Sequence, residues 1–139
     1  MPLFVMNIFF EKELFRRFPS LFALKDDQNY PIAQGISCGN GWYHLISVMC
    51  MEIKKLEKKG AIPVKFVHIK EKFGALQVFY TGGSEAVTGV VAMTTAMSKL
   101  TCEDCGAATR VQQETRHIVK SLCAKCRKTE EQRSSVSSQ

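Results

Sequence analysis

The sequence predicts an α+β fold: helices packed on a small antiparallel β-hairpin, followed by a C-terminal four-cysteine ribbon. Three observations lead there. Trp42, Leu45, Ile46, Met49, Ile53 and Leu56 recur at helical spacing. Val64–Lys70 and Leu76–Thr81 are rich in β-branched and aromatic residues and are joined by a connection short enough for a hairpin. Two C-x-x-C pairs then follow, Cys102/Cys105 and Cys123/Cys126. The division this implies is an α+β core over residues 1–98, a ribbon over 99–128 and a disordered tail over 129–139.

The first helix is expected over residues 8–18, where Phe10, Leu14 and Phe18 make an apolar stripe and Glu11, Lys12, Arg16 and Arg17 lie around it. Pro19 stops it, because a proline lacks the amide that the helix needs. Residues 20–41 read as a long connection with a short extended piece at Ile32–Ser37. The second helix takes Asn40 as N-cap and Gly60 past its end, and Lys54, Lys55, Lys58 and Lys59 complement the negative end of its dipole. After the hairpin, Ser84 caps a third helix whose apolar face is Val87, Val90, Val91, Met97 and Leu100. Within the ribbon, Thr109–Gln112 and His117–Leu122 are the candidate strands. Four serines among residues 129–139 predict the disordered tail.

At 139 residues, with 45% hydrophobic and 23% charged side chains, the chain has the composition of one modest globular domain. The apolar run Leu3–Phe10 is interrupted by Asn7 and followed by Glu11-Lys12-Glu13. It is far shorter than the roughly 20 residues that span a bilayer, so it is expected to be core material in a cytoplasmic protein. Cysteines in that compartment stay reduced, and paired C-x-x-C motifs there read as metal ligands.

The sixteen residues between Gly106 and Cys123 give the two pairs the separation of a four-cysteine zinc site. Each pair makes a tight turn whose two sulfurs reach one ion, and Gly106 suits the positive φ that such a turn requires. Four thiolates close the coordination shell, which favours one structural zinc over a catalytic one. The alternatives are four buried thiols or a redox dithiol, and the latter needs only one C-x-x-C beside a β-α-β unit. The ribbon has few large apolar residues, so the metal is expected to supply much of its folding free energy.

Outside the ribbon, Cys38 with His44 is the nearest approach to a Cys–His nucleophile, and a small apolar filler is the simpler role for Cys50. His44, His68 and His117 lack carboxylates at recognisable spacing, and no phosphate loop, HExxH or G-x-S-x-G sequence occurs, so no enzyme is expected. The net charge of +6 falls to about +4 once four thiolates and a divalent ion are counted. The candidate partner-binding residues are Lys54, Lys55, Lys58, Lys59, Lys70 and Lys72 in the core, with Arg110, Arg116 and Lys120 in the ribbon. The alternative is an ordinary solvated surface, since Glu52, Glu57, Glu71 and Glu114 are interleaved with them.

Three blocks carry a family resemblance: Cys38-Gly39-Asn40-Gly41-Trp42, then Val67-His68-Ile69-Lys70-Glu71-Lys72-Phe73-Gly74-Ala75-Leu76-Gln77-Val78-Phe79-Tyr80, then Cys102-x-x-Cys105-Gly106. Together they resemble a family of small bacteriophage and prophage proteins with C-G-D-G-W, V-K-E-K-F-G-x-L-x-F-Y and C-x-x-C-G motifs, over roughly residues 10–127. Asn40 stands where that family has an acidic residue. The resemblance implies an origin and not a mechanism. Small phage proteins without enzyme motifs often bind and block a host complex, so the first expectation is an inhibitor of a bacterial defence complex, similar in role to an anti-CRISPR protein. Its partner would be a host protein or nucleoprotein complex. The second expectation is a DNA- or RNA-binding accessory or transcription-regulatory protein.

Overall fold

A computed structural model describes residues 6–22, 35–109, 113–115 and 118–137. The elements are α1 (Ile8–Arg17), α2 (Pro19–Phe22), β1 (Ile36–Ser37), α3 (Tyr43–Lys58), β2 (Ile62–Lys72), β3 (Ala75–Gly83), α4 (Glu85–Ser98), β4 (Gln113–Thr115), β5 (Ile118–Lys120) and α5 (Ala124–Ser137). This is the expected α+β class. Its main sheet is mixed: β2 is central, antiparallel to β3 and parallel to β1 through Ile36↔Ile69 and Ser37↔Lys70. The β4–β5 pair forms a separate antiparallel ribbon.

Local chemistry explains most boundaries. Asn7 caps α1 by accepting the Phe9 amide at 2.8 Å. Pro19 ends α1 but also opens α2, where its missing amide costs nothing. Asn40 does not cap α3. It begins a 3₁₀ turn, Asn40–Trp42, and its Oδ1 instead accepts the Asn7 amide at 2.6 Å. A carboxylate at the same position has the same acceptor geometry available. Ser84 caps α4 as expected, accepting from the Val87 amide.

The core lies between α1–α3 and one face of the sheet. Trp42, Phe22, Phe66, Leu14, Ile46, Ile53, Ile69 and Leu76 are fully buried within it. Of the N-terminal apolar run, Met6 is core whereas Ile8 and Phe9 are exposed, and residues 1–5 lie outside the described residues.

Two further expectations change. Val87 is buried and Val90 and Val91 pack against the core as expected, but Thr94 and Ser98 complete the inward face of α4, while Met97 and Leu100 are exposed. The reason is polar: Ser98 Oγ accepts the Leu76 amide at 2.8 Å and Thr95 Oγ1 donates to the Leu76 carbonyl at 2.9 Å, so hydroxyls turn toward the sheet. Residues 129–137 are not a disordered tail but continue α5, which starts immediately after Cys123. Helix formers (Lys125, Arg127, Lys128, Glu130, Glu131, Gln132) carry it, with Arg127 and Glu131 spaced i,i+4.

Candidate metal centre

The sulfurs of Cys102, Cys105, Cys123 and Cys126 all lie within 4.8 Å of one another, clustered as in a zinc site. The Cys105 and Cys123 sulfurs are 3.7 Å apart. A disulfide requires about 2.05 Å. A tetrahedron with metal–sulfur bonds of roughly 2.3 Å has edges of about 3.8 Å, which this separation fits.

The first pair sits on a turn closed by Gly106 N–H donating to the Cys102 carbonyl at 2.9 Å, with Gly106 at φ +83. Cys102 N–H donates to the Ala107 carbonyl, and Thr109 N–H to the Leu100 carbonyl, which folds the chain back on itself. The second pair sits at the start of α5, where Arg127 N–H donates to the Cys123 carbonyl at 2.9 Å.

Backbone amides also face the sulfurs. The Cys126 N–H holds the Cys123 thiol down to about 7, whereas the Cys105 thiol, although bonded by the Ala107 N–H, is raised by burial and by the Cys102 and Cys123 sulfurs. Burial, together with the neighbouring sulfurs, pushes the Cys126 thiol well up. Only part of such a cluster ionises without a cation, and a divalent ion removes the conflict. The donor set therefore fits a metal.

The metal turn is built into the core. Gly41 N–H donates to the Glu103 carbonyl at 2.7 Å, and Gly39 N–H donates to Glu103 Oε2 at 2.9 Å. The indole Nε1 of Trp42 donates to the Thr101 carbonyl at 2.9 Å. From the other side, Ser121 Oγ donates to the Gly74 carbonyl at 2.6 Å, and the Glu103 amide donates to the Ser121 carbonyl at 2.8 Å. The two glycine-bearing blocks of the sequence thus meet at this turn, and the boundary expected after residue 98 is crossed by hydrogen bonds at several points. Glu103, only 1% exposed, is pushed up to about 7, chiefly by burial and against the pull of the Gly39 amide.

The described basic residues of α3 and of β2 lie at different ends of the hairpin. Lys54 pairs with Glu57 at 2.8 Å and Lys55 with Glu52 at 3.0 Å. Lys58 is in the last turn of α3 and Lys59 is its C-cap, while Lys70 and Lys72 are at the far end of β2. At about 3.3 Å per residue, that separation is roughly 30 Å. Lys120 is half-buried and close enough to Glu103 to act on its charge. Arg110, Arg116 and His117 lie outside the described residues.

Cys38 and Cys50 are fully buried, and burial pushes both thiols up, opposite to what a nucleophile needs. His44 is exposed and lines two openings. One is an apolar groove of about 670 Å³ between α3 and α4, bordered by Val48, Met93 and Met97. The other is a cleft of about 590 Å³ beside the metal turn, bordered by Phe10, Tyr43 and Asp104. The sequence pointed to neither, because helical spacing alone placed Met97 inside. Among the described residues, no helix is long and apolar enough to cross a membrane.

No family model matches the chain, and no curated protein or solved structure matched it.

Proposed function

We propose that the four cysteines bind one zinc ion as a structural centre and that the protein acts by binding a macromolecular partner, not by catalysis. One observation carries this reading: the four sulfurs cluster within 4.8 Å of one another while the same turn anchors Gly39, Gly41 and Trp42. A closed shell has no position for substrate or water, so the ion's role is to hold the fold. All-sulfur tetrahedral donors select zinc over harder divalent ions such as magnesium and calcium.

The resemblance to small bacteriophage and prophage proteins supplies the partner class. On this reading the protein works in the bacterial cytoplasm and inhibits a host defence complex, as an anti-CRISPR protein does. The test is a phage-infection assay in hosts carrying individual defence systems, with and without the expressed protein. Restored plaque formation against one system, lost with Cys123→Ser, is the expected result. Unchanged plating efficiency against every system removes the defence reading, and metal analysis finding no zinc removes the structural one.

A further inference from the structure

The hairpin β2–β3 has a second face that the core does not use. Ile69↔Val78 and Glu71↔Leu76 belong to the core side. The alternate pairs, His68↔Phe79, Lys70↔Gln77 and Lys72↔Ala75, lie on the other side, which is covered at Ala75 beside the tip and open at Phe79. A register shift between Phe66 and His68 sets this alternation, and Val67 is exposed at the irregularity.

Phe79 is 46% exposed on that face. Its ring is near-parallel to His68, at 6.5 Å and 28°, and Lys70 Nζ is 5.5 Å from the ring centre. At the hairpin tip, Lys72 Nζ is 5.6 Å from the ring of Phe73. Among the described residues, no acidic side chain occupies a strand position on this face; Glu71 has the other parity and accepts the Gly74 amide at 3.0 Å.

Phe73 adds an independent observation. It is the only non-glycine residue with positive φ among those described, at +54, and it is 69% exposed. A two-residue turn with both φ positive favours Asn-Gly or Gly-Gly, and a bulky side chain there is strained. Exposure means that little burial offsets the strain. The tip is nevertheless held rigid, because Ser121 clamps the Gly74 carbonyl and Glu71 the Gly74 amide. Strain kept at an exposed aromatic points to use of that side chain outside the molecule.

We propose that this face binds single-stranded nucleic acid, with Phe79 and Phe73 stacking on bases and Lys70 and Lys72 meeting phosphates. Unpaired bases offer flat apolar surfaces that exposed aromatic rings cover, and the interaction tolerates any base. Lysine is a point charge suited to phosphates and not to base edges, so binding is sequence-independent. Lys70 and Lys72 are about 6.6 Å apart along the strand, comparable with the step between phosphates in an extended strand. The missing acidic side chains make the face complementary to a polyanion. The inference stands apart from the defence reading, which rests on infection and not on purified components.

The test is fluorescence anisotropy of the zinc-loaded protein with a labelled fifteen-nucleotide oligothymidylate, its duplex, heparin and polyglutamate. The single strand is expected to bind best, with log affinity falling against log salt at a slope of about −1.4 for two phosphates. Phe79→Ala is expected to weaken binding roughly ten-fold or more. Phe73→Asn, which relieves the turn, is expected to weaken binding while raising the melting temperature, an outcome that unfolding cannot imitate. Equal affinity for heparin with no effect of either substitution overturns the proposal in favour of general polyanion attraction. Binding of polyglutamate but not of the oligonucleotide overturns it in favour of an acidic protein partner.

Discussion

Gly41 lies against Cys102 so closely that a Cβ at residue 41 would stand 2.1 Å from the Cys102 carbonyl oxygen and 2.6 Å from the Gly106 amide nitrogen. Both neighbours are backbone of the metal turn and cannot rotate away. Gly39 is similarly placed, with a Cβ position 2.4 Å from the Glu103 carbonyl oxygen. The two glycines around Asn40 are therefore a docking surface for the first C-x-x-C turn.

Gly41→Ala is expected to destabilise the protein by about 3 kcal/mol, since overpacking against immobile backbone commonly costs 1–3 kcal/mol and the hydrogen bond to Glu103 breaks as well. Denaturant unfolding of the zinc-loaded protein measures it. Gly60→Ala is the control: its Cβ would meet nothing within 4 Å, so only its φ of +106 opposes the change. A cost at Gly41 no larger than at Gly60 contradicts the docking.

Glu103 separates shape from charge. Its Oε2 accepts the Gly39 amide and its Oε1 has no partner among the described residues, in a site where burial disfavours the ionised form. Glu103→Gln keeps the acceptor without the buried charge and is expected to leave the melting temperature unchanged or raised at pH 8. Glu103→Ala removes the acceptor and leaves a cavity, for an expected loss of about 2 kcal/mol. Equal losses in both variants would show that the carboxylate charge is what matters, through Lys120.

Phe73→Asn is expected to stabilise the protein by about 1 kcal/mol, because asparagine tolerates the left-handed region and the exposed ring buries little. Against this stands the exposed cation–π pair of Phe73 with Lys72, which the substitution removes and which is worth about 0.5 kcal/mol. Thermal unfolding decides it, and a lower melting temperature would mean that the ring packs more than its exposure implies.

Much of this was legible in the sequence. The helical spacing around Trp42, the two β-runs, Ser84 as a cap and the four cysteines each follow from local chemistry and keep their places in the fold. Long-range choices did not show. Asn40 reads as a cap for the helix that follows it, yet it bonds Asn7, thirty-three residues away. Leu100 and Met97 read as core because spacing does not reveal that Ser98 and Thr95 bond the sheet. The parallel strand β1 is two residues long and its pairing with Ile69 leaves no local pattern. Most consequentially, the glycines flanking Asn40 fall where the sequence shows only a connection and the start of a helix, whereas what requires them is the backbone of the metal turn some sixty residues on.

The central claim is that the metal turn is a part of the core and not an appendage, and Trp42 reports on it. It is the only tryptophan, is fully buried, and its indole donates to the Thr101 carbonyl next to Cys102. The most direct measurement is Trp42 fluorescence during removal of zinc by a chelator, followed by re-addition. Removal is expected to shift the emission to the red and to lower the midpoint of the whole unfolding transition, with recovery when zinc returns. Unchanged emission and an unchanged core transition after complete zinc removal would contradict the claim and restore an independent ribbon.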